Sequence, residues 1–215
     1  MSPRAKPMAP DERRRTILAA AVPLILAHGP GATTRQIAEA AGVAEGTVFR
    51  VFPTKDELFD AVLDAALDPE RFLAELAEVD PGLPLEPRLV AATTVVQGRF
   101  REVFAVMTAL GIQGPPRRAK HEDAEALEAR RRSMQSLVDL VTPDAAAFRV
   151  PVREVVRMLR MLTFSGSHPH LSADEPLTPD QIVAVVLHGT LVSRRTDPAD
   201  PTNATDQTDP TDRSA

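Results

Sequence analysis

Thr47 and Arg50 stand one helical turn apart in the stretch Ala44-Glu45-Gly46-Thr47-Val48-Phe49-Arg50. A guanidinium can give guanine two parallel hydrogen bonds, worth about 1–3 kcal/mol of discrimination between bases. A threonine hydroxyl can donate to a phosphate, and its methyl can touch a thymine methyl. Gly46 would let backbone approach a nucleic acid closely. Thr33 and Thr34 open an earlier candidate helix, whose first N–H groups and dipole favour a phosphate. Lys55 stands at the start of a later one and adds a charge. The chemistry these residues share is recognition of phosphates and base edges.

Two short helices joined at Gly42 must position them. The first is apolar on one face through Ile37, Ala38 and Ala41. The second offers Val48 and Phe52 to the same core and leaves Thr47, Phe49 and Arg50 pointing elsewhere. Helices at that spacing have the layout of a DNA-reading helix-turn-helix. The competing interpretation is an ordinary helical corner, because alanine-rich helices joined by glycine are common. Three helix starts with hydroxyl or positive groups between Thr33 and Lys55 weigh against it.

Composition bounds the rest. The 215 residues suffice for one domain or two small ones with a real core, and 43% are hydrophobic. Cysteine is absent, which excludes a disulfide framework, thiol catalysis and cysteine-ligated metal, and fits a reducing cytoplasm. Tyr and Trp are also absent, so eight Phe supply the aromatic packing. The apolar run Ile17–Ala27 is too short to span a bilayer and lacks a cleavage signal after it, so neither an export signal nor a membrane span is expected. Net charge is −5, but residues 1–60 carry eight Lys/Arg against seven Asp/Glu. A DNA-binding protein needs a positive face rather than a positive whole. Arg4, Lys6, Arg13, Arg14, Arg15, Arg35, Arg50 and Lys55 could form one. Arg13–Arg15 read equally well as a solvated helix start.

The pattern predicts an all-α chain. A first helix is expected over about 11–27, with Ile17, Ala20, Ala21, Leu24 and Ala27 at helical spacing and a kink or break at Pro23. Thr33 with Gln36, and Thr54 with Glu57, have the pattern of capping boxes. Later segments are expected over 70–79, 86–111, 121–141, 151–165 and 179–193, separated by proline and glycine breaks, with a loop from Gly166 to Pro176. Thr178, Pro179 and Gln181 mark the entry of the last helix. Residues 1–10 read as a flexible basic arm. The Asp/Pro/Thr/Asn-rich end, 195–215, reads as disordered.

Residues 11–70 resemble the DNA-binding domain of TetR-family transcriptional regulators. The resemblance lies in Ile17-Leu18-Ala19-Ala20-Ala21, Gly29, Thr33 through Val43, Gly46-Thr47-Val48-Phe49 and Phe52-Pro53-Thr54-Lys55-Asp56-Glu57-Leu58. It implies a homodimer with one three-helix head per subunit and a larger helical effector-binding and dimerisation body, here 71–194. Carried over by position, it implies DNA contacts from Thr34, Arg35, Ala44, Gly46, Thr47, Phe49, Arg50 and Lys55, beside Thr33. Phe49 stands where the family usually has Tyr, so a hydroxyl–phosphate contact is lost. Ala44 replaces a common serine cap. Glu45 replaces a frequent lysine, and its carboxylate would repel phosphate unless turned outward. Pro23 and Leu26 depart from the usual first helix.

The body carries weaker signals. Segments 151–165 and 179–193 hold more apolar residues than one face needs, which suits burial on two sides in a dimer; a large core within one subunit is the alternative. Phe100, Phe104, Met107, Met134, Met158 and Phe164 are candidate ligand contacts, although a Phe/Met stripe is more often plain core. His168 and His170 lack the acids or cysteines of a metal site and read as polar loop. His188 could make a core or interface hydrogen bond. Arg130–Arg132 read as a solvated helix face. The function expected is a cytoplasmic repressor that binds a palindromic double-stranded operator as a homodimer and is released by a small-molecule effector, with no cofactor and no metal. A helical interaction module with a decayed DNA-binding head, or a helical enzyme, are the alternatives. Against the enzyme, no nucleophile pair, phosphate-cradling loop or acid–base cluster is visible.

Overall fold

The structure, a computed structural model, describes residues 9–112, 124–172 and 175–191. The expected tail, most of the basic arm with Arg4 and Lys6, and residues 192–193 lie outside the described residues. Among the described residues the fold is all-α. Its helices are α1 (Pro10–His28), α2 (Thr34–Ala40), α3 (Glu45–Val51), α4 (Lys55–Ala66), α5 (Pro69–Ala77), α6 (Leu85–Ala109), α7 (Ala124–Val141), α8 (Val152–Ser167) and α9 (Pro179–Thr190). Phe148 and Leu191 form an isolated antiparallel bridge.

Helix α1 starts with Pro10 at its first position and Asp11 and Glu12 in its first turn, which suits the positive end of the dipole. Its buried stripe is Ile17, Ala21 and Ile25. Ala20, Leu24 and Ala27, expected on that stripe, are half-buried or exposed. The expected break at Pro23 does not occur. Pro23 and Ala19, whose carbonyl loses its intrahelical donor, both lie on the exposed side, where water can replace the missing bond.

The turn from α2 to α3 is built from local rules. Thr33 and Gln36 cap α2 reciprocally. Gly42 takes φ +66°, Gly42 N–H donates to the Glu39 carbonyl at 3.1 Å, and Val43 N–H donates to the Ala38 carbonyl at 3.0 Å. This is a Schellman ending, which satisfies the last carbonyls and reverses the chain. Phe52 ends α3 rather than continuing it, and remains buried. At α4 only half of the expected box forms. The Thr54 hydroxyl accepts from Glu57 N–H at 3.1 Å, while the Glu57 carboxylate takes the Thr54 hydroxyl rather than the Thr54 backbone N–H.

Buried apolar residues fall into two clusters. One joins Ile17, Ile25, Ile37, Val48, Phe52, Leu58 and Val62, and it also contains Val103 and Val106 from the C-terminal half of α6. The other joins α5, α7, α8 and α9 around Leu89, Ala92 and Val96 in the N-terminal half of α6. One helix therefore belongs to both cores. Its C-terminus repeats the Schellman ending at Gly111, and Ile112 packs against the first cluster.

The body is pinned by buried polar contacts. Arg88 is 5% exposed, donates to the Pro81 and Leu83 carbonyls at 2.9 Å each, and pairs with Asp144. Gln97 donates to the Leu177 carbonyl at 2.7 Å. Leu177 in turn crosses α8 at Gly166, where a Cβ would meet its side chain at 3.0 Å. Gly166 and Ser167, expected in a loop, are therefore helical, and the glycine makes room for the returning chain.

Gly29 is the tightest junction between the two ends of the chain's first core. It takes φ +54°, and a Cβ there would stand 2.6 Å from the Ala109 carbonyl oxygen. Gly29→Ala combines a left-handed strain of about 1–2 kcal/mol with an overpacking cost of similar size. Urea unfolding should show a stability loss of about 2–4 kcal/mol, whereas Gly31→Ala, with open space at its Cβ, should cost less than about 1 kcal/mol.

Candidate nucleic-acid interface and ligand groove

The helix-turn-helix presents one face to solvent. Val48 is fully buried and Phe52 2% exposed, which fixes α3 by its inner side. Ala44, Gly46, Phe49 and Arg50 are exposed on the other side, and Thr47 is half-buried at the edge. Phe49 is 45% exposed, a large apolar ring left in water. Thr33 and Arg35 are exposed at the start of α2, with Thr34 half-buried beside them. Gly46 has open space where a Cβ would stand.

Some of these side chains have partners that the sequence did not disclose. The Thr34 hydroxyl donates to Glu45 Oε1 at 2.8 Å, joining the starts of α2 and α3. Glu45 is thus held beside the residues expected to meet phosphate rather than turned outward. Lys55 Nζ donates to the Pro30 carbonyl at 2.6 Å and lies over the Phe59 ring at 5.2 Å. Its ammonium ties α4 to the turn after α1. Arg14 lies over the Phe52 ring at 4.6 Å, so one member of the Arg13–Arg15 run covers the head core. Apart from Lys55 over Phe59, these links join residues 11 to 38 positions apart, which no local motif encodes.

The body holds a groove of about 340 Å³ between α6, α7 and α8. Of the expected ligand contacts, Phe100, Met134 and Phe164 line it. Phe104 backs it, with its ring centroid 5.2 Å from Phe164 and 4.7 Å from His168. Met107 is not there; it packs against the first core, because α6 has by then left the body. Met158 is half-buried on α8 and does not line the groove. Arg157, Arg160 and Ser165 do, and were not anticipated. Burial holds the Arg160 guanidinium below its ordinary pKa. The signal lies in the sequence as Arg157, Arg160, Met161 and Phe164 at helical spacing, a stripe that mixes charge with apolar surface.

The histidines expected in a polar loop behave differently from one another. His168 ends α8 against Phe104 and Phe164, while His170 is exposed. Among the described residues no cluster of His, Asp or Glu could hold a metal ion. His188 is exposed on α9. Arg130–Arg132 are exposed, with Arg132 paired to Glu70 at 2.6 Å. The apolar residues expected to be buried twice on α8 and α9 are mostly spent inside the subunit, among them Val155, Val156, Leu159, Ile182, Val183, Val186 and Leu187. Met161 and Val185 remain outside, 63% and 60% exposed. No helix among the described residues is long and apolar enough to cross a membrane.

A helix-turn-helix head is joined to a larger helical body, and the exposed side of α3 is the candidate nucleic-acid interface. Residues 17–62 match the model of the bacterial regulatory proteins of the tetR family, so the head is similar to that family's DNA-binding domain. Solved structures share the fold. A transcriptional regulator from Rhodococcus sp. Rha1 is 23% identical, with a TM-score of 0.55 over 84% of this chain and 98% of that one. A TetR transcriptional regulator from Streptomyces coelicolor is 23% identical, with a TM-score of 0.52 over 83% and 98%. A ketosteroid transcriptional regulator of Mycobacterium tuberculosis is 21% identical, with a TM-score of 0.52 over 84% and 96%.

Glu45 sets up a direct test. A carboxylate about 4 Å from a phosphate costs about 1 kcal/mol even in bulk water. Glu45→Gln removes that charge, so it should tighten binding to duplex DNA about fivefold by fluorescence anisotropy at low salt. Weaker binding would instead show that the charged Thr34–Glu45 contact holds the helices in the DNA-bound geometry.

Proposed function

We propose that the protein is a ligand-responsive repressor that binds a palindromic operator as a homodimer and is released by a small-molecule effector in the cytoplasm. The observation that carries this is the sharing of α6 between the two cores. Phe100 faces the groove, and Val103 and Val106, one and two turns further on, lie in the core that holds α2 and α3. A ligand that moves Phe100 has a rigid path to the head. Packed cores switch between discrete arrangements rather than deforming smoothly, so such a movement would change where the heads sit. The ligand must bind the two arrangements unequally to shift their populations.

Dimerisation is supported by the outward faces of α8 and α9, where Met161, Phe164 and Val185 leave apolar surface in water. A two-fold pair would set its recognition helices about 34–36 Å apart, for successive major grooves. On α3, Arg50 would read a guanine, Thr47 a phosphate or thymine methyl, and Phe49 would make apolar contact only. Thr33, Thr34, Arg35, Ala44, Gly46 and Lys55 would lie along the backbone.

Selection of bound fragments from a genomic DNA pool tests the whole. An inverted repeat should be recovered, bound by two chains, with log affinity falling steeply against log salt. Arg50→Ala should lose about tenfold or more of the preference for the guanine it reads, with little change on non-specific DNA. A chain that stays monomeric and enriches no duplex would overturn the proposal.

A further inference from the structure

We propose that the groove between α6, α7 and α8 takes an apolar carboxylate, its acid group held by Arg160 and its hydrocarbon or aromatic body lying on Phe100, Met134 and Phe164. This rests on the effector-binding role proposed for the body and names the class of effector.

The arginine is the informative residue. Four other arginines of the body face acids: Arg88 pairs with Asp144, Arg71 with Glu75 and Glu102, Arg132 with Glu70, and Arg157 with Glu154 at 3.0 Å, while Arg99 and Arg149 donate to the backbone carbonyls of Asp68 and Gly189. Arg160 is half-buried, and no acid among the described residues pairs with it. Burial lowers its pKa, and among the described residues no carboxylate offsets the loss of water. A desolvated guanidinium without a counter-ion is costly unless an anion arrives. Its planar fork matches the two oxygens of a carboxylate.

The rest of the groove sets the body of the ligand. Its floor is aromatic and aliphatic. Phe100 and Phe164 meet edge to face with centroids 5.4 Å apart, and Phe104 supports Phe164 from behind. Among the described residues no carboxylate lines the groove, and the nearby Glu154 is neutralised by Arg157. A doubly charged phosphate would need more donors than Arg160 and Ser165 supply, because Arg157 is already engaged by Glu154. The volume, about 340 Å³, falls at the small end of the range of about 300–1,000 Å³ usual for small-molecule sites. On α8, residues 157, 160, 161, 164 and 165 form one stripe, so charge and apolar surface face the same space.

Isothermal titration of the full-length protein with decanoate, decanol and decylammonium tests this. Decanoate should bind at least tenfold more tightly than decanol, with decylammonium weakest. Arg160→Gln should abolish the preference for decanoate while decanol binding is unchanged, and Arg160→Lys should keep part of it. Phe164→Ala should weaken decanoate and decanol alike. Equal binding of decanoate and decanol, a preference that survives Arg160→Gln, or no saturable binding of any probe would each overturn the proposal. So would dissociation of the dimer by Arg160→Gln with the decanoate preference intact, which would make Arg160 a subunit contact. DNA release is read separately by anisotropy. Decanoate that binds through Arg160 but leaves DNA bound supports the site and counts against the effector role of the body.

Discussion

The structure depends on one helix that cannot belong to either core alone. Along α6, Leu89, Ala92 and Val96 are buried with the body, and Val103 and Val106 are buried with the head. The Ala109 carbonyl at its C-terminus presses on Gly29, just after α1, closely enough to exclude a Cβ. The head therefore has no finished core until α6 is docked against it. Burying an aliphatic side chain of this size stabilises by about 1.5–3 kcal/mol, so Val103 and Val106 make the head's stability depend on where α6 lies. The body and α3 are thus joined by packing through α6.

The head spends its polar groups on holding itself together as well as on an outer surface. Lys55 reaches back to the Pro30 carbonyl, Thr34 reaches across to Glu45, and Arg14 covers Phe52. A side chain committed to such a contact must exchange it before it can serve a phosphate. Arg50 and Phe49, by contrast, stand in solvent on a helix clamped by Val48 and Phe52. Under the proposed function, that division would leave base reading to α3 and positioning to the helix starts.

The body shows a parallel economy. The inner faces of α8 and α9 are consumed by the subunit's own core, which leaves only a narrow apolar strip outside. On α8 that strip adjoins the groove, since Met161 and Phe164 line both. Ligand and partner subunit would therefore compete for, or share, the same side chains.

The sequence by itself determined the helices, their caps and the helix-turn-helix. These are set by contacts three or four residues apart: Thr33 with Gln36, Thr178 with Gln181, and the left-handed Gly42. The outer face of α3 was legible for the same reason, because Val48 and Phe52 on the inner side of a short helix leave Phe49 and Arg50 in solvent and Thr47 at the edge. Only the tertiary structure decided what stands opposite each side chain. The buried stripe of α1, the tolerance of Pro23, the transfer of Met107 to the head core and the half-burial of Arg160 all depend on distant elements. Periodicity says which residues share a face, but not which neighbour covers it. That choice is made when α6 threads both cores, and it lies beyond the reach of local spacing.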